Sequence, residues 1–245
     1  MLRVEGLTKH FGGLKAVDKL TMTVDEGQFV GILGANGAGK TTLLNLITGY
    51  FPPTSGTITF EGRPIHGLPP YNVARLGIGR TFQVVQPFNE MSVLDNVIAG
   101  ALFSRPRQRT PLEQVRAECM EPLRLVGLGR QAAKEARELT LGAKKKLELA
   151  RALATKPRLL LLDEVMGGLT HEEIEDIKDV LRRIREAGTT VLMIEHVVQA
   201  LVELSDYVYV MDFGRELAQG LPDDVIQKRE VVEAYLGKPL ERSNG

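Results

Sequence analysis

Eight residues, Gly34-Ala35-Asn36-Gly37-Ala38-Gly39-Lys40-Thr41, fit the pattern G-x-x-x-x-G-K-[ST] at every defined position. Glycines in such a loop free main-chain N–H groups to cradle phosphate oxygens at a helix N-terminus, the lysine bridges the outer phosphates, and the Thr41 hydroxyl is offered to Mg2+. This chemistry needs a strand before the loop and a helix after it. The flanks agree: Phe29 to Leu33 reads as a buried strand, and Lys40 to Thr48 as a helix stopped by Gly49 and the Pro52-Pro53 pair. Strand, loop and helix make half of a βαβ unit, so the chain is expected to be α/β with a parallel sheet.

A phosphate loop needs a separate acid to hold the metal. Leu159-Leu160-Leu161-Leu162 is the fully apolar run of a buried parallel strand, and it ends on Asp163-Glu164. Ligands of open α/β sheets gather at strand C-termini, which suits Asp163 as the metal acid. Side chains alternate along a strand, so Glu164 can point elsewhere and polarise an attacking water. Beyond it, His171 to Glu186 reads as a helix closed by Gly188, Thr189 to Ile194 as the next strand, Asp206 to Met211 and Arg215 to Gln219 as edge strands, and Val225 to Leu236 as closing helices. Between about Ser92 and Ala154 the apolar residues recur at three and four, which predicts a helical layer inserted into the α/β core. Ser104 to Pro111 reads as an exposed loop. His10, His66 and His171 lack partner spacing and read as surface residues, and Lys144-Lys145-Lys146 reads as a solvated helix face, with a phosphate role as the minority alternative.

Composition narrows the function classes. Lys+Arg and Asp+Glu both number 31, a balance that argues against nucleic-acid binding driven by phosphate neutralisation. No apolar run approaches the roughly 18–20 residues of a membrane span, and the N-terminus lacks a signal pattern. The one cysteine, Cys119, fits a packing role in a reducing compartment.

In this order the motifs resemble those of the ATP-binding cassette (ABC) family over nearly the whole chain. The resemblance implies one ABC ATPase domain over 1–245: a P-loop NTPase core formed by 1–85 and 156–245, with a β subdomain, and a helical subdomain over about 86–155. Leu139-Thr140-Leu141-Gly142-Ala143 is similar to the family signature Leu-Ser-Gly-Gly-Gln; Thr140 keeps the hydroxyl and Gly142 the close approach, while Leu141 and Ala143 depart from the pattern. His196 resembles the switch histidine that contacts the γ-phosphate. Gln83 resembles the glutamine that touches Mg2+ and ends the strand-like Ile78–Phe82 run, with Gln86 a nearby competitor. Phe11 resembles the aromatic that stacks on adenine, the alternative being a core aromatic. Val165 and Thr170 stand where the family usually has Pro and Asp or Asn.

The finer resemblance is to ATPase subunits of branched-chain amino acid importers, carried by Gly79-Arg80-Thr81-Phe82-Gln83, Met91 to Val97, Asp163 to Met166, Ile194-Glu195-His196 and Val232 to Gly237. It implies ATP and Mg2+ as cofactors, with Mg2+ held by Thr41, Gln83 and Asp163, and Glu164 and His196 as the catalytic pair. Each ATP is expected between Gly34–Thr42 of one chain and the Leu139–Ala143 signature of a second ATPase subunit, a second copy or a related one. Val84 to Val97 is expected to pass the motion to transmembrane permease subunits at the cytoplasmic face of the inner membrane, a solute-binding protein taking part indirectly and nucleic acid not at all. Importers of urea or short amides, the lipopolysaccharide-export ATPase, a soluble P-loop kinase and an ABC protein of DNA repair or translation are the rival readings. The export branch usually has Leu-Pro-Gln where Thr81-Phe82-Gln83 stands, and a kinase has no use for Leu139–Gly142 or His196.

Overall fold

A computed structural model describes residues 1–104 and 110–236, which include every candidate site residue. Strands β1 (Leu2–Phe11) and β2 (Leu14–Val24) open the chain as an antiparallel pair, and β3 (Phe29–Gly34) leads through the glycine loop into α1 (Lys40–Ile47). Strands β4 (Ser55–Phe60) and β5 (Arg63–Pro64), helix α2 (Pro70–Arg75) and strand β6 (Ile78–Arg80) follow. Three helices come next: α3 (Val93–Ser104), α4 (Leu112–Leu125) and α5 (Leu141–Leu153). The chain then alternates through β7 (Leu159–Asp163), α6 (His171–Glu186), β8 (Thr190–Ile194), α7 (Val198–Leu204), β9 (Tyr207–Asp212) and β10 (Arg215–Gly220), and closes with α8 (Pro222–Val225) and α9 (Arg229–Leu236).

The strands form two sheets. One is antiparallel, in the order β2-β1-β4-β5; the other runs β10-β9-β3-β8-β7-β6 and is parallel except where β10 joins β9. Every residue of β3, β7 and β8 is buried, because the parallel sheet is covered on both faces. Alternation divides them between two cores. Phe29, Leu33, Leu160, Leu162, Val191 and Met193 pack with the α3–α5 helices, while Val30, Ile32, Leu159, Leu161, Leu192 and Ile194 pack with α1 and the antiparallel sheet. Cys119 is buried in the first of these cores.

Several sequence expectations shift. Strand β9 is interior, paired with β3 on one side and β10 on the other, so only β10 of the two is an edge. The run read as a strand to Phe82 ends at Arg80, which leaves Gln83 in a loop. The closing helices begin earlier than Val225, at Pro222, whose fixed φ suits a first helical turn. His66 is half-buried, with Nδ1 lying 3.3 Å from both the N and O of Ile58. In the Ser104–Pro111 segment read as a loop, Ser104 ends α3 and residues 105–109 lie outside the described residues, as does Gly237.

Candidate active site

The C-terminal ends of β3, β7 and β8 lie side by side and carry the glycine loop, Asp163-Glu164 and Glu195-His196 respectively. Sheet register therefore brings residues far apart in sequence to one edge. The loop itself cannot carry larger residues at its two closest approaches. A Cβ at Gly34 would stand 2.5 Å from the carbonyl oxygen of Met211, and one at Gly39, where φ is 98°, would collide with the carbonyl of Ala16. Gly39 precedes α1 without a side-chain cap, so the first N–H groups of that helix have no capping side chain. Such a terminus attracts anions.

Lys40 is buried and turns back on the loop, donating to Gly34 O at 2.6 Å and Ala35 O at 3.0 Å. Burial holds its ammonium below the usual lysine range, against the opposing pull of Glu164 and Asp163. Thr41 is exposed and Thr42 half-buried at the start of α1. Ala35, Asn36, Gly37 and Ala38 complete the loop, with Ala38 N donating to Ala35 O at 3.1 Å. Phe11, at the end of β1, is 41% exposed and stands edge-on to Phe51 with ring centroids 5.2 Å apart. That exposure sets it apart from the fully buried core aromatics such as Phe29 and Phe60.

Asp163 is buried and accepts from Arg80 Nη2 at 3.0 Å through Oδ2. Its other oxygen, Oδ1, is buried with no hydrogen-bond partner. Burial, the largest effect, pushes its pKa up, while Arg80 pulls it down. A buried carboxylate oxygen without a partner is costly unless a ligand completes it. An aspartate carboxylate, together with a threonine hydroxyl such as that of Thr41, is the hard oxygen donor type that a magnesium ion takes from protein. The donor set fits that ion.

Glu164 turns the chain out of β7 with φ at 50°, in the left-handed region. A side chain there costs roughly 1–2 kcal/mol, and such strain concentrates at functional sites. The turn re-aims the carboxylate. His196 Nε2 lies 2.7 Å from Oε1, and Gln83 Nε2 donates to Oε2 at 2.5 Å, so both oxygens of Glu164 are held by side chains from other loops. Gln86 is exposed, and its main-chain carbonyl accepts from Arg151 Nη1 of the helical layer at 3.1 Å.

The signature segment opens α5. Thr140 is its N-cap, and its Oγ1 accepts from Ala143 N at 3.3 Å. Leu139 is buried, Leu141 is 46% exposed, and Gly142 packs so tightly that a Cβ would stand 2.7 Å from Glu173 Oε1. Glu173 in turn forms a capping box with Thr170 at the start of α6, so the Thr170 hydroxyl is engaged within its own chain.

Three further residues complete the site. Arg80 joins Asp163 to Asn45 Oδ1 at 2.7 Å and Thr48 Oγ1 at 3.1 Å. Glu195 is buried, accepts from Met166 N at 2.8 Å, and is raised by burial to about 7. Lys145 is also buried, which corrects the reading of Lys144–Lys146 as a solvated face. Helical spacing carried the signal: 142, 145, 149 and 152 fall on one stripe, and all four are buried.

Residues 17–167 match the ABC transporter family model. The chain belongs to the ABC transporter family. It is 38% identical over 250 residues to the high-affinity branched-chain amino acid transport ATP-binding protein BraF of Pseudomonas aeruginosa, covering 97% of this chain and 98% of that one. The corresponding LivG protein of Escherichia coli K12 is 35% identical, with coverage of 97% and 98%. Among solved structures, the ADP conformation of the cassette MJ1267 superposes with a TM-score of 0.89 at 32% identity, covering 97% of this chain and 99% of that one. The dimeric cassette MJ0796 gives 0.80 at 25% identity, with coverage of 91% and 99%. The chain thus has the fold of an ABC ATPase and is a nucleotide-binding ATPase of that family. Among the described residues no helix is long and apolar enough to cross a membrane.

Proposed function

We propose that this chain is the ATP-hydrolysing subunit of an importer for branched-chain amino acids. Near-full-length similarity to BraF and LivG supports the cargo, and the meeting of Glu164, His196 and Gln83 beside the phosphate loop carries the chemistry. In this reading the α1 N-terminus and Gly34–Thr42 bind the phosphates, Lys40 leaves its loop carbonyls for the outer phosphates, and Phe11 stacks on adenine. Glu164 orients the attacking water and accepts its proton, once Gln83 turns away and frees Oε2. His196 turns its Nε2–H from Glu164 Oε1 to the γ-phosphate. Asp163, Thr41 and Gln83 would hold a magnesium ion, which when bound neutralises phosphate charge.

Within the signature, Thr140 and Leu141 are exposed at the α5 N-terminus, which suits a second ATPase subunit paired head to tail, so that each ATP is closed in by the partner's Thr140–Gly142. Residues 86–155 then act as a helical subdomain on the nucleotide-binding core of 1–85 and 156–245. A groove lined by Tyr50, Phe82, Val84, Gly100 and Arg151 separates the two and exposes Tyr50, Phe82 and Val84. That apolar groove is the docking place for transmembrane permease subunits, which would keep the chain at the cytoplasmic face of the inner membrane while a solute-binding protein delivers cargo. The test is uptake of labelled leucine, isoleucine and valine by cells lacking this chain and then re-supplied with it or with Glu164→Gln. Uptake restored only by the unaltered chain supports the reading; unimpaired uptake without the chain, or defective uptake of a different solute alone, sinks the cargo assignment.

A further inference from the structure

Lys145 is a buried charge that the proposed function leaves unused. It lies on the second turn of α5 and sends its ammonium out of the helical layer, donating to Glu164 O at 3.0 Å and standing 3.5 Å from Gln83 O. Its neighbours in the run behave differently: Lys144 is half-buried, and Lys146 pairs with Asp176 at 3.0 Å. Burial holds the Lys145 ammonium below the usual lysine range, while the charges of Glu195 and Glu164 favour its keeping the proton. Its ammonium is satisfied by two loop carbonyls rather than by a carboxylate.

Those carbonyls belong to the residues that meet at the reacting edge. Glu164 keeps its left-handed backbone only while surrounding contacts over-determine it. Its N–H donates to Ile194 O at 2.9 Å, its carbonyl accepts from Gly167 N at 3.3 Å, and Met166 N is tied to Glu195 at 2.8 Å. These holds come from the turn and from β8 with the residue after it. The bond from Lys145 is the hold that comes from the helical layer.

We propose that Lys145 is a positioning residue of the ATPase site, its ammonium tying the signature helix to the main chain of Glu164 and Gln83 so that the placement of α5 sets the aim of the Glu164 carboxylate. This rests on the reading of Glu164 as the group that orients water. Any shift of the signature helix is then felt at Glu164 directly, through one side chain and one main-chain oxygen. Misplacing a reacting group by about 1 Å can slow a reaction a hundredfold, so a single such tie is enough to matter.

The experiment uses the purified full-length chain with ATP and magnesium, as Lys145→Met, Lys145→Arg, Lys144→Met and Glu164→Gln. Steady-state hydrolysis gives kcat and KM, and hydrogen exchange reads the amides of Glu164, Met166 and Gly167. Lys145→Met is expected to lower kcat roughly tenfold to a hundredfold with KM nearly unchanged, and to speed exchange at those amides. Lys145→Arg should recover most of both, and Lys144→Met should match the unaltered chain. Lys145→Met with normal kcat and normal exchange, beside an inactive Glu164→Gln, overturns the positioning role while leaving Glu164 in place. Should Lys145→Met fail to fold, Lys145→Arg decides: kcat and exchange retained together support the tie, and kcat lost with exchange unchanged overturns it. A fully active Glu164→Gln removes the reading of Glu164 itself, a result visible without any change at Lys145.

Discussion

The Nε2 atom of His196 lies 2.7 Å from Oε1 of Glu164, across 32 residues of sequence. The contact exists because β7 and β8 are parallel neighbours in the register that sets Asp163 against Ile194, so the residues that follow each strand emerge together. Glu164 then turns through its left-handed backbone toward the histidine while Asp163 stays buried against Arg80. Two adjacent carboxylates thereby face different partners.

Glu164→Gln should lower ATP hydrolysis by roughly 10²–10⁴-fold, the range for a positioned general base, while ATP still binds. Because each ATP is proposed to be closed in between two ATPase subunits, a variant that binds but does not hydrolyse it should accumulate as an ATP-bound dimer in sedimentation or size-exclusion runs. His196→Ala should lose rate as well. Normal turnover by Glu164→Gln would falsify the role given to Glu164.

Lys40→Ala and Phe11→Ala should both weaken ATP binding, for separable reasons. Losing a charge-assisted hydrogen bond costs about 1.5–3 kcal/mol, roughly a tenfold to hundredfold loss of affinity. The Lys40 loss should extend to ADP and to inorganic triphosphate. Losing a stacking ring costs about 1 kcal/mol or more, and that loss should be absent for triphosphate, which has no base. Titration calorimetry with ATP, ADP and triphosphate separates the two; equal losses for all ligands in Phe11→Ala would remove the stacking role.

The phosphate loop, Asp163-Glu164 and His196 were legible in the sequence because each follows a short apolar run, β3, β7 or β8, whose burial on both faces leaves little else for it to be. Lateral strand order was not legible. Tyr207 and Tyr209 alternate with Val208 and Val210 in β9 as they would in an edge strand, and only the pairing with β3 makes the strand interior. Strands β1 and β2 gave a weak pattern, since register shifts between Val4 and Leu7 and again before Lys9 break the alternation of Leu2, Val4 and Leu7. Lys145 was hidden by the composition of its run, although helical spacing with Gly142 and Leu149 places it inside. Arg80 was visible as part of a motif, but its pairing with Asp163 arises from strands joined across the sheet by Leu161.

Arg80→Ala should destabilise the fold by about 3–5 kcal/mol, because it leaves the buried Asp163 carboxylate without its cation and frees Asn45 and Thr48 as well. Arg80→Lys should recover part of this, since one ammonium cannot reproduce the planar fork that reaches three partners. Urea unfolding of the full chain reads the difference. An Arg80→Ala midpoint matching the unaltered chain, with unchanged slope, would mean that the pair adds nothing.

Glu195 makes stability depend on pH in a direction opposite to that of most carboxylates. Its pKa rises from 4.5 to about 7 on folding, chiefly through burial, so between those values the folded state binds more protons than the unfolded state. The protonated Glu195 contributes stability that is fully present below about 4.5 and is lost as pH rises through about 7. A shift of that size corresponds to about 3 kcal/mol at full ionisation. Glu195→Gln keeps an oxygen to accept from Met166 N yet carries no charge at any pH. Relative to the unaltered chain, it should therefore gain more stability at pH 8 than at pH 5, as measured by unfolding free energies in urea at both values. A pH-independent difference between the two chains would place the Glu195 pKa near its ordinary value and remove the burial argument behind it.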